Sequence, residues 1–301
     1  MKKLSKISWY GLCSAGVAAL LYGVWLICRV FLFDQFVIPT DSMRPTLIPG
    51  DRVIVNKTLL GARIYRDFNF KPGGGALRCW RTKGTRRLRH NDIAVFNFPQ
   101  HDGSISFVIN HVFCKRCIAL PGDTLWSENG YYKNNNYQGV LGSEEEQARF
   151  CSMPDSILPP EVLNIFPFGD AFCYSIRNLP CIYVPRKGDV IRVTREVAAY
   201  YKMLLEWELG KSIAWNEGKH LAYAGGNPLF RHIFQHSYYF MAGDNVLDSN
   251  DSRYWGLVPE EYIVGVVIGI SCSKDVRTGK LRADRILKKV SSTKDTDYSY
   301  Y

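Results

Sequence analysis

The stretch Phe36-Val-Ile-Pro-Thr-Asp-Ser-Met-Arg-Pro-Thr-Leu-Ile-Pro-Gly-Asp-Arg-Val-Ile-Val55 sets the organisation of this chain. An apolar extended run ends at Pro39, and a polar turn, Thr40-Asp41-Ser42, follows it. Two prolines and a glycine then prevent a helix, and Arg52–Val55 begins an apolar strand. A serine held between two strands by rigid turn residues is well placed to act as a nucleophile, although most turn serines only cap or solvate the turn.

The residues before this stretch have the pattern of a membrane anchor. Met1–Ser8 carries three lysines, and Trp9–Phe33 is apolar except for Ser14 and Arg29. A helix of this length reaches about 37 Å, which exceeds the ~30 Å hydrocarbon core of a bilayer. A cleaved signal peptide needs a shorter apolar core and a small-residue cleavage site. The pattern therefore predicts an uncleaved anchor, with the N-terminus in the cytoplasm and the chain after Phe33 outside.

Most of the remaining chain is predicted to be strand. Apolar, β-branched or aromatic runs bounded by Gly, Pro or Asp occur at Arg52–Val55, Asp92–Phe98, Phe107–Ala119, Ile182–Val184, Asp189–Val193, Tyr238–Ala242 and Tyr262–Ile270. Lys57–His90 is predicted to be a long loop and Asn129–Pro180 an irregular region. Arg195–Leu209 is the one good candidate for a soluble helix.

These patterns predict a mainly β fold behind one N-terminal transmembrane helix. The expected parts are a cytoplasmic N-terminus (1–8), an anchor (9–33), a β-rich core (34–129 and 238–272), an inserted second region (130–237) and a polar C-terminal tail (273–301). Within the tail, Leu281–Val290 is expected to form a short basic amphipathic segment on the bilayer, and Ser291–Tyr301 to be disordered.

The net charge of +10, from 38 basic and 28 acidic residues, does not indicate a nucleic-acid-binding protein. The basic residues are spread along the chain or lie in loops such as Arg78–Arg89, and no nucleic-acid motif accompanies them. A solvated basic face, or one that lies near anionic lipid, explains the charge better.

The cysteines and histidines show no metal-site spacing. Cys114 and Cys117 lie in a strand-like run, where positions i and i+3 point to opposite faces, so they are not expected to share a metal or a disulfide. A Cys173–Cys181 cross-link in an oxidising compartment stays open as an alternative. His232 and His236 have no acidic or third ligand beside them, which favours core or surface histidines. No cofactor is expected.

Four stretches resemble, in chain order, the boxes of bacterial type I signal peptidases, the membrane-bound Ser/Lys proteases. Ile38-Pro-Thr-Asp-Ser-Met-Arg-Pro-Thr-Leu47 resembles the serine box, and Asn91–Pro99 a strand with the pattern Gly-Asp-Ile-Val-Val-Phe. Phe113–Asp123 resembles the lysine box, and Gly243–Gly256 the Gly-Asp-Asn…Asp-Ser-Arg box. The resemblance covers residues 9–125 in pieces and 238–271 closely.

A protease of this kind needs a hydroxyl nucleophile and a neutral amine as base, which the resemblance assigns to Ser42 and Lys115. A free lysine titrates near pH 10.4, so its pKa must be lowered by burial or by a neighbouring positive charge. Strand alternation puts Lys115 on one face with Phe113 and Cys117, an apolar setting in which lysines are seldom buried unpaired. The alternative is an edge-strand lysine that opposes aggregation.

The resemblance also implies roles for further residues. The backbone N–H of Ser42 and the hydroxyl of Thr40 would form the oxyanion hole, and Ser249 would orient the lysine amine. Polar turns and an ion pair that shape the floor of the site are expected from Asp244, Asp251 and Arg253. Substrate-binding residues are expected at Phe36, Ile38, Phe113 and Cys114.

The sequence departs from the family pattern at two places. Asp41 stands where many members have a glycine between the two hydroxyl residues. Val246-Leu247 replaces a usual Arg-Asp or Arg-Asn pair within the Gly243–Asp248 turn. Neither departure touches the expected nucleophile or base.

The resemblance implies a serine endopeptidase that removes signal peptides from exported preproteins by cutting after an Ala-x-Ala-like motif. It would work at the outer, periplasmic face of a bacterial cytoplasmic (inner) membrane as a single-pass protein. The expected partners are preprotein signal peptides, membrane lipid and the secretion machinery, with no nucleic acid. The alternatives are a catalytically silent homologue that only binds signal sequences, and a self-cleaving repressor-type Ser/Lys protease, which needs a DNA-binding domain.

Overall fold

The computed structural model describes residues 2–163 and 174–290, and it has a β-rich fold behind one long N-terminal helix, as predicted. Cys173 of the possible cross-link and Ser291–Tyr301 lie outside the described residues. The helices are α1 (Lys2–Ile27), α2 (Glu144–Ser152), α3 (Pro160–Leu163), α4 (Arg195–Tyr200), α5 (Lys202–Leu209) and α6 (Ser252–Trp255). The strands are β1 (Phe33–Val37), β2 (Asp51–Asn56), β3 (Arg63–Tyr65), β4 (Cys79–Arg81), β5 (Ile93–Asn97), β6 (Gln100–His101), β7 (Ser104–Ile105), β8 (Val112–Ala119), β9 (Thr124–Glu128), β10 (Tyr131–Asn134), β11 (Ile182–Tyr183), β12 (Val190–Arg192), β13 (Ile213–Asn216), β14 (Leu221–Ala224), β15 (Asn227–Leu229), β16 (Arg231–Ile233), β17 (Tyr238–Ala242), β18 (Val258–Pro259), β19 (Ile263–Ser273) and β20 (Lys288–Lys289).

The N-terminal helix continues into the sheet without a linker. Its segment Trp9–Leu32 is long and apolar enough to cross a membrane, and a π-helical turn, Cys28–Leu32, leads directly into β1. The Asp34 carboxylate accepts hydrogen bonds from Arg29 Nη2 at 2.7 Å and from Lys57 Nζ at 2.9 Å. These contacts join the end of the helix to both β1 and the residue after β2, so the helix and the sheet are held together.

One large antiparallel sheet forms the centre of the fold. Its order is β1-β2-β19-β5-β8-β17-β18, with β20 added to β19. Side-chain alternation places one face of this sheet on a large apolar cluster that includes Phe96, Ile118 and Phe240. The opposite face carries a smaller cluster around Ile38 and Val95. Both faces are thus covered, and the strands are fixed in register from each side.

The central strand β8 is only half paired on one of its edges. β5 pairs with β8 along Val112–Arg116. On the other edge, β17 reaches only as far as Arg116, which is opposite Ala242. Among the described residues, no strand therefore pairs with Val112–Lys115 on that edge, and the turn after β1 folds back towards it.

Residues between the two halves of the large sheet form smaller sheets, in the orders β10-β9-β11, β12-β16 and β13-β14-β15. The first of these begins at Thr124, a few residues before the predicted start of the inserted region at residue 130. The boundaries of that region stay a prediction.

Five predicted segments differ from the observed elements, four of them before residue 210. The predicted loop Lys57–His90 contains the β3–β4 hairpin, and the predicted irregular region Asn129–Pro180 contains β10 and α2. The strand expected from Phe107 begins only at Val112. The helix predicted for Arg195–Leu209 is two helices, α4 and α5.

The break between α4 and α5 lies at Tyr201, which leaves the helical conformation at φ −96° and ψ 13°. The Tyr201 hydroxyl donates to the Tyr183 carbonyl at 2.5 Å, and its ring packs edge-on against Phe234. These tertiary contacts override a helical pattern that is continuous in the sequence.

The segment Leu281–Val290 joins the sheet rather than forming a separate amphipathic element. Ala283–Arg285 is a single 3₁₀ turn, and Lys288 and Lys289 pair with Ile270 and Gly269 of β19. Lys288 and Lys289 lie on this added edge strand, where charge opposes pairing with another chain.

Arg285 ties this C-terminal segment to the turn that carries the candidate nucleophile. Its guanidinium donates to both oxygens of the fully buried Asp51, at 2.9 and 2.5 Å, and to the Thr46 carbonyl at 3.0 Å. Asp51 also accepts the Ile48 N–H, at 2.9 Å, and a hydrogen bond from the Ser273 side chain. One carboxylate thus fixes the chain on both sides of the turn that ends at Asp51.

We predict that Arg285→Leu lowers the free energy of unfolding by about 3–5 kcal/mol, because it leaves the Asp51 carboxylate buried and unpaired. Arg277→Leu is the matched control, since Arg277 is exposed and its loss should cost less than about 0.5 kcal/mol. Urea unfolding of the full chain in detergent measures both. Equal effects of the two substitutions would show that the Asp51–Arg285 pair does not hold the turn.

Candidate active site

The turn that carries Ser42 is held by backbone hydrogen bonds from two parts of the chain. Ile38 N–H donates to the Asp51 carbonyl at 2.8 Å, and Gly50 N–H donates to the Ile38 carbonyl at 2.9 Å. From the distant loop before α6, Asn245 N–H donates to the Ser42 carbonyl at 3.1 Å. The main chain of Ser42 is therefore positioned on both sides, while its side chain stays partly accessible.

Ser42 and Lys115 meet although 73 residues separate them. Lys115 Nζ lies 2.5 Å from Ser42 Oγ, and only 4% of the Lys115 surface is exposed. The Thr40 hydroxyl is 3.3 Å from the same Ser42 oxygen. The structure thus brings together the candidate nucleophile, the candidate base and one accessory hydroxyl.

The pKa of the Lys115 amine is lowered from its usual 10.5, chiefly by burial. The nearby carboxylates of Asp251 and Asp244 act in the opposite direction, and the Arg253 guanidinium adds to the lowering. The amine also lies 5.9 Å from the centre of the Phe113 ring, which is part of its apolar surroundings. Desolvation disfavours the charged form of an amine, so this position favours a neutral lysine.

Beneath the amine lies a fully buried ion pair between Asp251 and Arg253. The guanidinium donates to both carboxylate oxygens, at 2.8 and 2.7 Å, and to the Val246 carbonyl at 2.8 Å. Asp251 also accepts the Gly243 N–H at 2.8 Å. The pair therefore fixes the loop that runs from Gly243 to α6, and that loop in turn holds the Ser42 carbonyl.

Asp244 pairs with Arg116, a residue that the sequence did not single out. Two guanidinium nitrogens of Arg116 lie 2.6 Å from the two Asp244 oxygens, and both side chains are buried. The Thr46 hydroxyl donates to Asp244 at 2.5 Å, and Arg116 also donates to the Asn91 carbonyl at 3.0 Å. Arg116 follows the candidate base directly, so this pair fixes β8 at that point from its opposite face.

Ser249 lies beside the candidate dyad, but it makes no hydrogen bond to Lys115. Its buried hydroxyl oxygen has no hydrogen-bond partner among the described residues. An added Cβ at Gly243 would lie 2.1 Å from this oxygen and 2.4 Å from the Ser42 carbonyl oxygen. Only a glycine at residue 243 lets Ser249 and the Ser42 main chain approach each other this closely.

A cavity of about 270 Å³ opens at the dyad. Its walls include three of the predicted substrate-binding residues, Ile38, Phe113 and Cys114, together with Ser42 and Lys115. Phe36 does not line it and instead packs, half-buried, against the smaller apolar cluster. Lining residues that the sequence did not indicate are Met43, Val112, Asp248 and Asn250.

The Cys114 thiol is unsuited to act as a second nucleophile in this cavity. Burial raises its pKa to about 12, which outweighs the attraction of the neighbouring Lys115. A thiol with this pKa stays protonated near neutral pH and acts as a small apolar wall.

Comparison with known proteins gives a consistent family. The family described as signal peptidase, peptidase S26, matches residues 11–156 and 181–271. Signal peptidase I of Buchnera aphidicola is 29% identical over 252 residues, covering 83% of this chain and 71% of that protein. Signal peptidase I of Pseudomonas aeruginosa is 26% identical over 258 residues, covering 81% and 66%.

Among solved structures, a signal peptidase I from Enterococcus faecalis aligns with 60% of this chain and 97% of that one, at 16% identity. The TM-score of 0.28 is too low to establish a shared fold.

We predict that Lys115 contributes a rise in stability with pH in the alkaline range below 10.5, opposite in sign to the contribution of the buried Cys114 and Cys117 thiols, whose pKa burial raises. Burial lowers the pKa of this amine in the folded state, so above that pKa the unfolded chain binds more protons, and stability increases with pH. Lys115→Met should remove this rise, whereas Lys133→Met, at an exposed lysine on β10, should retain it. Urea unfolding at a series of pH values measures the slopes. Identical slopes in the wild type and Lys115→Met would contradict the prediction.

Proposed function

This chain belongs to the signal peptidase family, peptidase S26, the serine endopeptidases that remove signal peptides from preproteins, and we propose that it cuts after an Ala-x-Ala-like motif with a Ser42–Lys115 dyad. The observation that carries the proposal is the 2.5 Å approach of a buried lysine amine to a serine hydroxyl at the mouth of a small apolar cavity. No cofactor takes part in the proposed reaction.

In the proposed mechanism, the neutral Lys115 amine accepts the proton of Ser42 as the Ser42 oxygen attacks the scissile carbonyl carbon. The lysine then gives that proton to the leaving amine, and an acyl-enzyme remains on Ser42. Lys115 next takes a proton from water as the water oxygen attacks the ester carbonyl carbon. The bond to Ser42 Oγ then breaks, the new carboxyl end leaves, and Lys115 gives the proton to the Ser42 oxygen, which restores the hydroxyl and the neutral amine. One amine thus serves as base and acid in turn, which requires a pKa far below that of a free lysine.

The oxyanion that forms at the carbonyl is proposed to bind the Ser42 N–H and the Thr40 hydroxyl. The Thr40 hydroxyl already lies 3.3 Å from Ser42 Oγ, so it needs only to turn towards the developing charge. Removal of one such donor typically raises the activation free energy by about 2.7–4 kcal/mol. The threonine therefore supplies the hydroxyl that the family often takes from a serine.

Ser249 is proposed to orient the amine once the substrate is bound. A buried hydroxyl without a partner costs about 1–3 kcal/mol, so this group is available for a new hydrogen bond. Its placement against Gly243 and the Ser42 main chain keeps it within the dyad region. When Ser42 gives up its bond to the amine, the Ser249 hydroxyl can take its place.

The substrate is proposed to add as an extended strand along the open edge of β8. In an antiparallel strand, the backbone N–H and C=O groups of successive residues point to alternate edges, and those of Val112 and Cys114 point to this edge. β17 pairs with β8 only from Arg116 onward, so these groups have no strand partner among the described residues. The segment Phe36–Pro39 would flank the substrate on the other side. Side chains of the bound strand would then enter the cavity between Ile38 and Phe113, and its small volume favours alanine.

The protein is membrane-anchored, and we propose that it crosses the bacterial inner membrane once, with its catalytic core on the periplasmic side. Ser42 is nine positions after Phe33, so it lies within about 30 Å of the end of the anchor. A signal peptide emerging from the bilayer presents its cleavage site at this level. Membrane lipid and the secretion machinery are the further proposed partners.

Preprotein cleavage by dyad variants tests the proposed function. Ser42→Ala, Lys115→Met and the double variant should each lower the rate by at least about 10⁴-fold, with no further loss in the double variant, because the two groups act as one unit. Lys115→Arg should lower the cleavage rate by a similar factor, since a guanidinium stays charged at working pH and cannot act as the base. The rates come from gel assays of a preprotein in detergent, and the new N-terminus is sequenced. Substantial cleavage by Lys115→Met would overturn the dyad, and an inactive wild type would favour the silent homologue.

The size of the cavity should set which residue is accepted before the cut. Ile38 is 4% exposed and lines the cavity, so Ile38→Ala should widen it and relax the demand for alanine. Each methylene in an apolar pocket contributes about 1–3 kcal/mol of discrimination. Ile48→Ala, at an apolar residue that does not line the cavity, is the control. The measurement is the relative kcat/KM for preproteins with alanine or valine at that position, and unchanged ratios in Ile38→Ala would argue against the pocket.

A further inference from the structure

Two of the six histidines face each other instead of a carboxylate. His90, His232 and His236 hydrogen-bond to Asp123, Glu208 and Glu261, at 2.7, 2.6 and 2.6 Å. His101 Nε2 and His111 Nδ1 lie 3.2 Å apart. Both of these rings are only partly buried, so the space between them is open to ions from solvent.

The two histidines are presented by different elements beside the proposed substrate groove. His101 is the last residue of β6 in the β6–β7 hairpin, and His111 directly precedes β8. Both rings pack on Phe98, with centroid distances of 6.1 and 5.0 Å. Packing on a common aromatic ring, together with the hydrogen bond between the two ring nitrogens, fixes the relative position of the two imidazoles.

The spacing of the two nitrogens suits a shared metal ion. Zn–N bonds of about 2.0–2.1 Å in a tetrahedral arrangement place two ligand nitrogens roughly 3.3 Å apart, close to the 3.2 Å observed. Imidazole is a preferred ligand of Zn²⁺ and Cu²⁺. Small rotations of the rings would turn both lone pairs to one point outside the line that joins the nitrogens.

We propose that His101 and His111 form a two-imidazole site for Zn²⁺ or Cu²⁺, and that the bound ion inhibits cleavage. No group of three or more His, Cys, Asp or Glu side chains that could hold a metal occurs among the described residues. The remaining coordination positions would therefore hold water. The site is accordingly an open, exchangeable one and not a structural metal centre.

Inhibition follows from the position of the site and rests on the proposed function. The His111 ring lies 5.4 Å from the Phe113 ring, and Phe113 lines the cavity next to Lys115. His111, Phe113 and Lys115 thus form one row along β8. An ion with bound water at the end of this row would obstruct a substrate strand that adds along Val112, and it would tie the β6–β7 hairpin to the strand.

Metal binding by the full, untagged chain in detergent is the first test. Titration calorimetry with ZnCl₂ should show one binding site. With one equivalent of Cu²⁺, the electron paramagnetic resonance spectrum should show coupling of the copper to two imidazole nitrogens. His101→Ala and His111→Phe should each weaken Zn²⁺ binding by more than the roughly 10–100-fold that loss of a supporting residue costs. His111→Phe keeps an aromatic ring for the packing with Phe98 and Phe113. His220→Ala, at an exposed histidine outside this cluster, should bind like the wild type.

Preprotein cleavage with and without ZnCl₂ is the second test. Zn²⁺ should slow the wild type and His220→Ala, and the concentration needed should rise at least tenfold in His101→Ala, whose metal-free rate should stay unchanged. Equal Zn²⁺ affinity in the wild type and both histidine variants would overturn the site. Binding that depends on the histidines but leaves the rate unchanged would overturn the inhibition. A metal-free wild type that cleaves no preprotein would refute the proposed function, while the binding experiment would still decide the site.

Discussion

The burial of one amine is the constraint on which the rest of this structure depends. Lys115 stands on the central strand of the main sheet with 4% of its surface exposed, and a lysine is stable in such a place only if its charge is given up or compensated. Among the described residues its closest polar contact is the Ser42 hydroxyl, not a carboxylate. The turn that carries Ser42 therefore has to lie against β8, and the order of the strands places it there.

Two buried ion pairs hold the Ser42 turn and β8 in fixed positions without making Lys115 charged. Asp251–Arg253 fixes the loop beneath the amine, and Asp244–Arg116 fixes β8 from its other face. Burial is the largest influence on the pKa of the amine; the Asp251 and Asp244 carboxylates act against it, and the Arg253 guanidinium acts with it. A pair that lost its arginine would leave a carboxylate free to hold Lys115 protonated, and the base would be lost together with the fold of the loop.

The sequence predicted those features that depend on short motifs. The turn at Ser42, the strand that carries Lys115, the long apolar helix and the loop around Asp251 and Arg253 are each contained in a few consecutive residues. The pairing of Arg116 with Asp244 was missed because it joins residues 128 positions apart. The break at Tyr201 depends on contacts with Tyr183 and Phe234, which helical spacing does not reveal. The close approach of Ser249 to the Ser42 main chain depends on the glycine at residue 243, which a short motif does not reveal.

The most direct test of the account compares two pKa values in the same enzyme. The titration of Lys115 is followed by NMR of ¹³Cε-labelled lysine, with Lys115→Met used to assign the signal, and the acid limb of kcat/KM for a preprotein is measured in the same detergent. If the neutral amine is the base, the two values agree and lie well below the usual 10.5. Titration of Lys115 near its usual value, with an acid limb in the range of a histidine or a carboxylate, would contradict the account and require another base.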